Sequence, residues 1–300
     1  MHPAEFSIFL HRALETRLGR LFDLAAVEGW QQDPDGLHDV RVASRRVRAV
    51  LDLVDADIYP GFKRHRRRLK ALTLALGFAR ELDVRSMLLD GFKKKGLEPI
   101  HQAVLEHAQE ALELLQRRAR QRMTKALGEL SIRDCEGLLH VPSLPDPFAP
   151  GTMVDSAWAC LEPRSVLALE PLQGLVIQED ALAMHAVRIR VKQLRYTLET
   201  LAPLLPGDSV SALLRLRQLQ TLLGDHHDLA DLEAFLWDLH SQLTARRRAI
   251  LATELLDILG LVAEERRSLF DRFRDLAPTF STTSFLDSLR LAAPSAGVAP

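Results

Sequence analysis

Apolar residues recur at intervals of three and four along most of the chain, and runs alternating apolar with polar are nearly missing. That is the period of helices with one buried face, not of half-buried strands. The pattern predicts an all-α fold with helices at about 4–28, 36–57, 61–77, 79–94 and 98–130. A second set follows at about 152–176, 179–203, 208–223, 226–245 and 247–276. Asp35 and Pro60-Gly61 read as helix starts, and Gly91 with Gly96 as the break before the fifth helix. Between the sets, Pro142, Pro145, Pro147 and Pro150 crowd one short stretch. Each lacks an amide donor and clashes with a preceding turn, so 141–151 reads as a linker. The tail after Ala277 is rich in Ser, Thr, Pro and Ala and is expected to fray at its end.

The two sets repeat one another. Leu37-His-Asp-Val-Arg-Val-Ala-Ser-Arg-Arg-Val-Arg-Ala-Val-Leu51 aligns without gaps with Met184-His-Ala-Val-Arg-Ile-Arg-Val-Lys-Gln-Leu-Arg-Tyr-Thr-Leu198. His38 meets His185, 147 positions on (185 − 38). At the same offset Arg41 meets Arg188, Arg45 meets Lys192 and Arg48 meets Arg195. The register persists downstream, where Leu69-Lys70 meets Leu216-Arg217, Leu76-Gly77 meets Leu223-Gly224, and Glu81 meets Asp228. A fixed period of this kind signals a repeated structural unit. We therefore expect one domain over 1–300, built from halves at 1–140 and 152–290 packed about a pseudo-two-fold axis.

On a helix of 3.6 residues per turn, Val40, Val47, Val50, Leu51 and Val54 share one direction, the core face. His38, Arg41, Arg45 and Arg48 fall on a second stripe, roughly 80–160° around the axis from Val40. In the second half Val187, Val191, Leu194, Leu198 and Leu201 form the core face, and His185, Arg188, Lys192 and Arg195 form the stripe. Like charges at these spacings repel by a few tenths of a kcal/mol per pair. A bound polyanion would offset that repulsion, and guanidinium forks donate paired hydrogen bonds to phosphate oxygens. The competing reading is a solvated basic face balanced by neighbouring acids. Arg46 lies off the stripe and reads as solvated.

Lys70 and Arg217, basic in both halves, extend the candidate set. The stretch 76–84 reads as a tight corner between helices, where Gly77 and Gly224 permit a turn or a close helix approach. Arg80 is placed to reach a ligand there. Glu81 and Asp228 either orient basic side chains or serve a structural role. The runs Lys93-Lys94-Lys95, Arg117–Arg122 and Arg246–Arg248 occur once each; the first suits a helix end, the others solvated faces.

Composition narrows the class. Of 300 residues 47% are hydrophobic, enough for a large core. Thirty-nine basic residues against 40 acidic ones give a net charge of −1, so an anionic partner must be recognised by local arrangement. Two cysteines, Cys135 and Cys160, make no disulfide framework and suit a reducing compartment. No signal-peptide pattern opens the chain, and no uncharged run approaches the roughly 18 residues of a membrane helix. The expectation is a cytoplasmic protein without a membrane segment.

These residues resemble the CHAD family, the conserved histidine α-helical domain. The resemblance rests on His38-x-x-Arg41-x-x-x-Arg45-Arg46-x-Arg48 with the corner at 76–84, and on His185-x-x-Arg188-x-x-x-Lys192-x-x-Arg195-Tyr196 with the Leu223-Gly224 corner. It spans about residues 4–276. It implies a duplicated helical bundle around a basic central cavity that binds inorganic polyphosphate, on polyphosphate granules or as a scaffold. The implied ligands are His38, Arg41, Arg45, Arg48, Lys70, Arg80, His185, Arg188, Lys192, Arg195, Arg217 and His227. Enzymes of polyphosphate metabolism are the implied protein partners. The second corner departs from the first: His226-His227 stands there, and Ala230 replaces Asp83.

Three alternatives remain. A phosphoanhydride hydrolase, or an accessory to one, would need metal-holding carboxylates, and no acidic cluster recurs with the stripes. The Glu-x-Glu-x-Lys mark of the hydrolase domain that often adjoins CHAD domains is absent. Metal binding by His38, His185, His226, His227 and Asp228 is disfavoured because adjacent histidines point about 100° apart on a helix. Nucleic-acid binding lacks stacking aromatics beside the stripes, Tyr196 excepted. No cofactor, metal or catalytic residue is expected.

Overall fold

The computed structural model describes residues 4–53, 60–129 and 152–291. The expected linker 141–151, Val54 and Cys135 lie outside these residues. Among the described residues the chain forms ten α-helices and no strand. They are α1 (Ala4–Ala25), α2 (Pro34–Leu51), α3 (Pro60–Lys93), α4 (Pro99–Glu129), α5 (Met153–Leu169), α6 (Leu172–Leu175), α7 (Ala181–Leu201), α8 (Ser209–Ala245), α9 (Ala249–Leu276) and α10 (Thr282–Arg290).

Local chemistry sets several boundaries. The carboxylate of Asp33, not of Asp35, caps α2; it accepts from the Gly36 amide at 2.8 Å, ahead of Pro34 in the first turn. Asp180, 147 positions on, caps α7 by accepting from the Ala183 amide at 3.0 Å. Gly96, at φ +70°, follows the end of α3. Pro171 separates α5 from α6, where the pattern predicts one helix.

The two expected corners are not corners. α3 runs unbroken through Gly77, and α8 through Gly224. A single glycine costs a helix only about 1 kcal/mol relative to alanine, and the apolar faces on both sides stay buried in one core. The tail holds a helix that the pattern does not predict, while its end, 292–300, lies outside the described residues. Ser281 caps α10, which buries Phe285, Leu286 and Leu289. The Gly207 amide donates to the Leu289 carbonyl at 2.9 Å, and a Cβ on Gly207 would come within 2.4 Å of that backbone. Only glycine fits there.

α1 packs on α2, α2 on α3 and α3 on α4; α5 packs on α7, α7 on α8 and α8 on α9. Across the two sets α1 meets α5, α2 meets α7, α3 meets α8 and α4 meets α9. Each of these partners is the element that the 147-residue offset assigns. One continuous apolar cluster runs from Phe6 to Leu289.

A buried ion pair ties α3 to α4. Asp83 is 4% exposed; both of its oxygens accept from Arg120 Nη2, at 3.0 and 3.1 Å, and Oδ1 also accepts from Gln116 at 3.1 Å. Arg120 also donates to the Gln31 carbonyl, so it is not part of a solvated face. Asp83→Ala would strand a half-buried guanidinium. It is expected to cost about 3–5 kcal/mol in urea denaturation. Glu113→Ala, which removes the exposed partner of Arg117, should cost less than about 1 kcal/mol.

Candidate functional site

α2 and α7 each turn an apolar face inward: Val40, Val47 and Val50 on one, Val191, Leu194 and Leu198 on the other, all buried. Because those faces point to the core, the stripes beside them are carried to the line where the two helices meet. Arg41 and Arg45 of α2 converge there with Arg188 and Lys192 of α7. Burial, then Arg45 and Arg188 against the pull of Glu81, lowers Arg41 to about 10. Burial also lowers Arg45, with Arg188 and Arg48 adding to it, while a hydrogen bond with Tyr196 opposes it. Lys192 responds most. Burial, then Arg188, Arg45 and Arg41, bring its ammonium down to about 6.

Carboxylates and glycines flank this cluster in matching positions. Glu81 lies 4.0 Å from Arg41, and Asp228 lies 3.5 Å from Arg188. The guanidinium of Arg41 lies over Gly77 and that of Arg188 over Gly224; a Cβ would sit 3.5 and 3.7 Å from the two Nε atoms. These are ordinary contact distances, so a methyl group would fit at either position, and neither glycine makes a turn. Both Nε atoms are buried and find no acceptor among the described residues.

The histidines occupy one end. His38 keeps an open face to solvent, and partial desolvation of its ring, with Arg80 nearby, lowers its pKa. His185 and His227 face each other with Nδ1 atoms 3.2 Å apart, so one donates and the other accepts. His227 takes the position equivalent to Arg80. Its Nε2 lies 3.6 Å from Asp231, which also pairs with Arg85 of α3 at 3.6 Å. Burial, reinforced by Arg188, His185 and Lys192, holds His227 at about 4. His185 is lowered for the same first reason, with Arg188 next. His226 points elsewhere: it is 1% exposed and lies 2.7 Å from Glu179.

At the other end the sequence pattern is only partly realised. Arg48 adjoins Arg45. Arg195 is buried, hydrogen-bonded to Gln220 at 2.7 Å and to Glu199, and packed over the Tyr196 ring at 4.5 Å. Arg217 is 55% exposed and 3.9 Å from Glu199. Arg46, expected to be solvated, has its Nε 3.4 Å from Glu199. One carboxylate thus holds three arginines. Lys70 is exposed on α3. Arg85 and Asp231 escaped the sequence pattern because Leu232 and Val84 stand at the 147-residue offset; Glu199 has an acidic counterpart in Asp52, but both acids lie off the basic stripes. Concavities of about 500 and 360 Å³ lie away from the four-cation cluster, the first lined by residues 174–182 and the second by Arg17, Arg20, Arg46 and Glu199 among others.

A family model for the CHAD domain matches residues 12–237. The chain belongs to the CHAD family. A comparison of this CHAD protein with curated protein sequences finds no match. The crystal structure of the CHAD domain from the plant Ricinus communis is similar at a TM-score of 0.69 and 23% identity, over 93% of each chain. That likeness shows the fold. Among the described residues of this CHAD protein, no helix is long and apolar enough to cross a membrane.

Lys192 makes the cluster's strain measurable. Its pKa is about 6 folded against 10.5 unfolded, so the unfolded chain binds one more proton between those values. Stability should therefore rise with pH across that window. Lys192→Met should flatten this rise in urea denaturation at stepped pH, and should stabilise the protein near neutrality.

Proposed function

We propose that this CHAD protein binds inorganic polyphosphate along the seam where α2 meets α7 and is not itself an enzyme. The observation that carries the reading is the convergence of Arg41, Arg45, Arg188 and Lys192, each partly withdrawn from water. A linear anion with a charge on every phosphate meets such a row with paired, charge-assisted hydrogen bonds. His38 with Arg80, and His185 with His227, extend the row at one end; Arg48 extends it at the other. Lys70, Arg195 and Arg217 are secondary, because two of them already share Glu199 and the third is exposed.

Contacts between counterpart helices and counterpart caps support an origin by duplication, with the halves 1–140 and 152–290 related by a pseudo-two-fold axis. The carboxylates nearest the cluster, Glu81 and Asp228, face Arg41 and Arg188, which supports a positioning role over a catalytic one. The Tyr196 ring is covered by Arg195, which disfavours base stacking and so nucleic acid. On this reading the protein is a cytoplasmic scaffold or a granule-associated module, with enzymes of polyphosphate metabolism as partners.

Displacement of labelled polyphosphate by single-stranded RNA of equal charge tests the reading. Polyphosphate should be preferred, and Arg45→Glu/Lys192→Glu should weaken it at least about a hundredfold, since each lost charge-assisted bond is worth about 1.5–3 kcal/mol. Equal affinity for RNA, or an unaffected variant with intact circular dichroism, would leave only a basic surface.

Binding should also take up protons. His38, His185 and Lys192 all sit below their ordinary values, and a bound phosphate favours the charged form of each. Affinity should therefore rise as pH falls from about 8 to 6, around the reference histidine value and the depressed lysine. In calorimetry, Lys192→Met should bind with a smaller proton uptake; affinity flat over that range in wild type would exclude the linkage.

A further inference from the structure

Where α4 meets α9, on elements that the polyphosphate reading does not use, three side chains point at one spot. His101 stands in the first turn of α4; Glu254 and Asp257, one turn apart, stand on α9. His101 Nε2 lies 3.4 Å from Glu254 Oε2 and 3.3 Å from Asp257 Oδ2. All three ligand atoms fall within 4.8 Å of one another. We propose that His101, Glu254 and Asp257 form a binding site for a divalent transition-metal ion of the zinc type, its fourth position open to water.

The distances suit an ion as well as an ion pair. Asp257 lies within hydrogen-bond reach of His101 Nε2, and Glu254 competes for the same nitrogen. A neutral imidazole has one proton at Nε2 at most and satisfies one carboxylate at a time. By contrast, a tetrahedral zinc site with bonds of about 2.1 Å places its ligand atoms about 3.4 Å apart. Both nitrogen–oxygen separations match that edge.

The donor set fits as well. Imidazole with carboxylates suits zinc and its neighbours, whereas an all-oxygen shell would suit magnesium or calcium. His101 and Glu254 are 18% and 27% exposed, enough cover to fix them, and Asp257, at 69%, leaves a path for the ion. The N-terminal end of α4 attracts carboxylates and helps gather both acids before an ion arrives. An ion here would clamp two helices from opposite ends of the chain, beside the Lys95–Glu265 pair that already joins α9 to the segment after α3.

Zn²⁺ titrated calorimetrically into chelator-treated protein at pH 7.5, free of phosphate, tests the site. One ion should bind, and Co²⁺ in its place should give the visible absorption of a tetrahedral centre. Outer-shell losses already weaken zinc sites about 10–100-fold, so His101→Ala and Asp257→Asn should each weaken binding at least that much. His240→Ala, a histidine outside the site, should leave it unchanged. Circular dichroism should show each variant folded, and the thermal midpoint should rise with Zn²⁺ in wild type and His240→Ala but not in His101→Ala or Asp257→Asn. No binding by wild type at 100-fold excess ion, or equal binding by His101→Ala, overturns the proposal; polyphosphate affinity unaffected by His101→Ala is expected either way.

Discussion

Repulsion among cations held out of water is the constraint around which this fold is arranged. Arg41, Arg45 and Arg188 each lower the proton affinity of at least one other member, Lys192 is lowered by all three, and burial removes the water that would screen them. Left alone such a cluster would push α2 and α7 apart. Two features oppose it. Valine and leucine faces on the same helices lock both into a shared core. Glu81 and Asp228, from the helices behind, return part of the missing negative charge. Lys192 relieves the rest by giving up its proton, as the arginines cannot.

The glycines in α3 and α8 belong to the same solution. Where a side chain would have stood, each helix presents bare backbone, and an arginine guanidinium from the facing helix lies over it. A methyl group would still fit beneath either guanidinium, and only a longer side chain would displace it. The expectation of a corner failed because glycine beside a leucine run signals a turn in sequence, while the tertiary contact decides whether it is one.

Much of this was legible in the sequence because the signal was doubled. A single basic stripe is ambiguous; two in one register, beside a core face of matching period, identify the helices, their pairing and the four central cations. Features that break the repeat stayed hidden. Glu199 collects Arg46, Arg195 and Arg217, although their counterparts Gln193, Arg48 and Lys70 read differently along the chain, and so removes Arg195 from the open stripe. Arg85 reaches Asp231 across α3 and α8, with no equivalent contact 147 residues away. α10 was missed because a serine- and threonine-rich segment looks like a fraying tail until its cap and its Phe285 are seen in place.

The family match stops at residue 237, within α8, which continues to Ala245. Beyond it α9 lays Leu255, Ile258, Val262 and Phe273 against the core, and α10 closes over Gly207. The residues the family model matches and the packed core thus end at different places. A fragment cut at residue 237 would carry Arg41, Arg45, Arg188 and Lys192, yet it would present a long oily flank to water. The likeness to the solved CHAD domain covers 93% of the chain, and it is this larger body that completes the core beneath the cations.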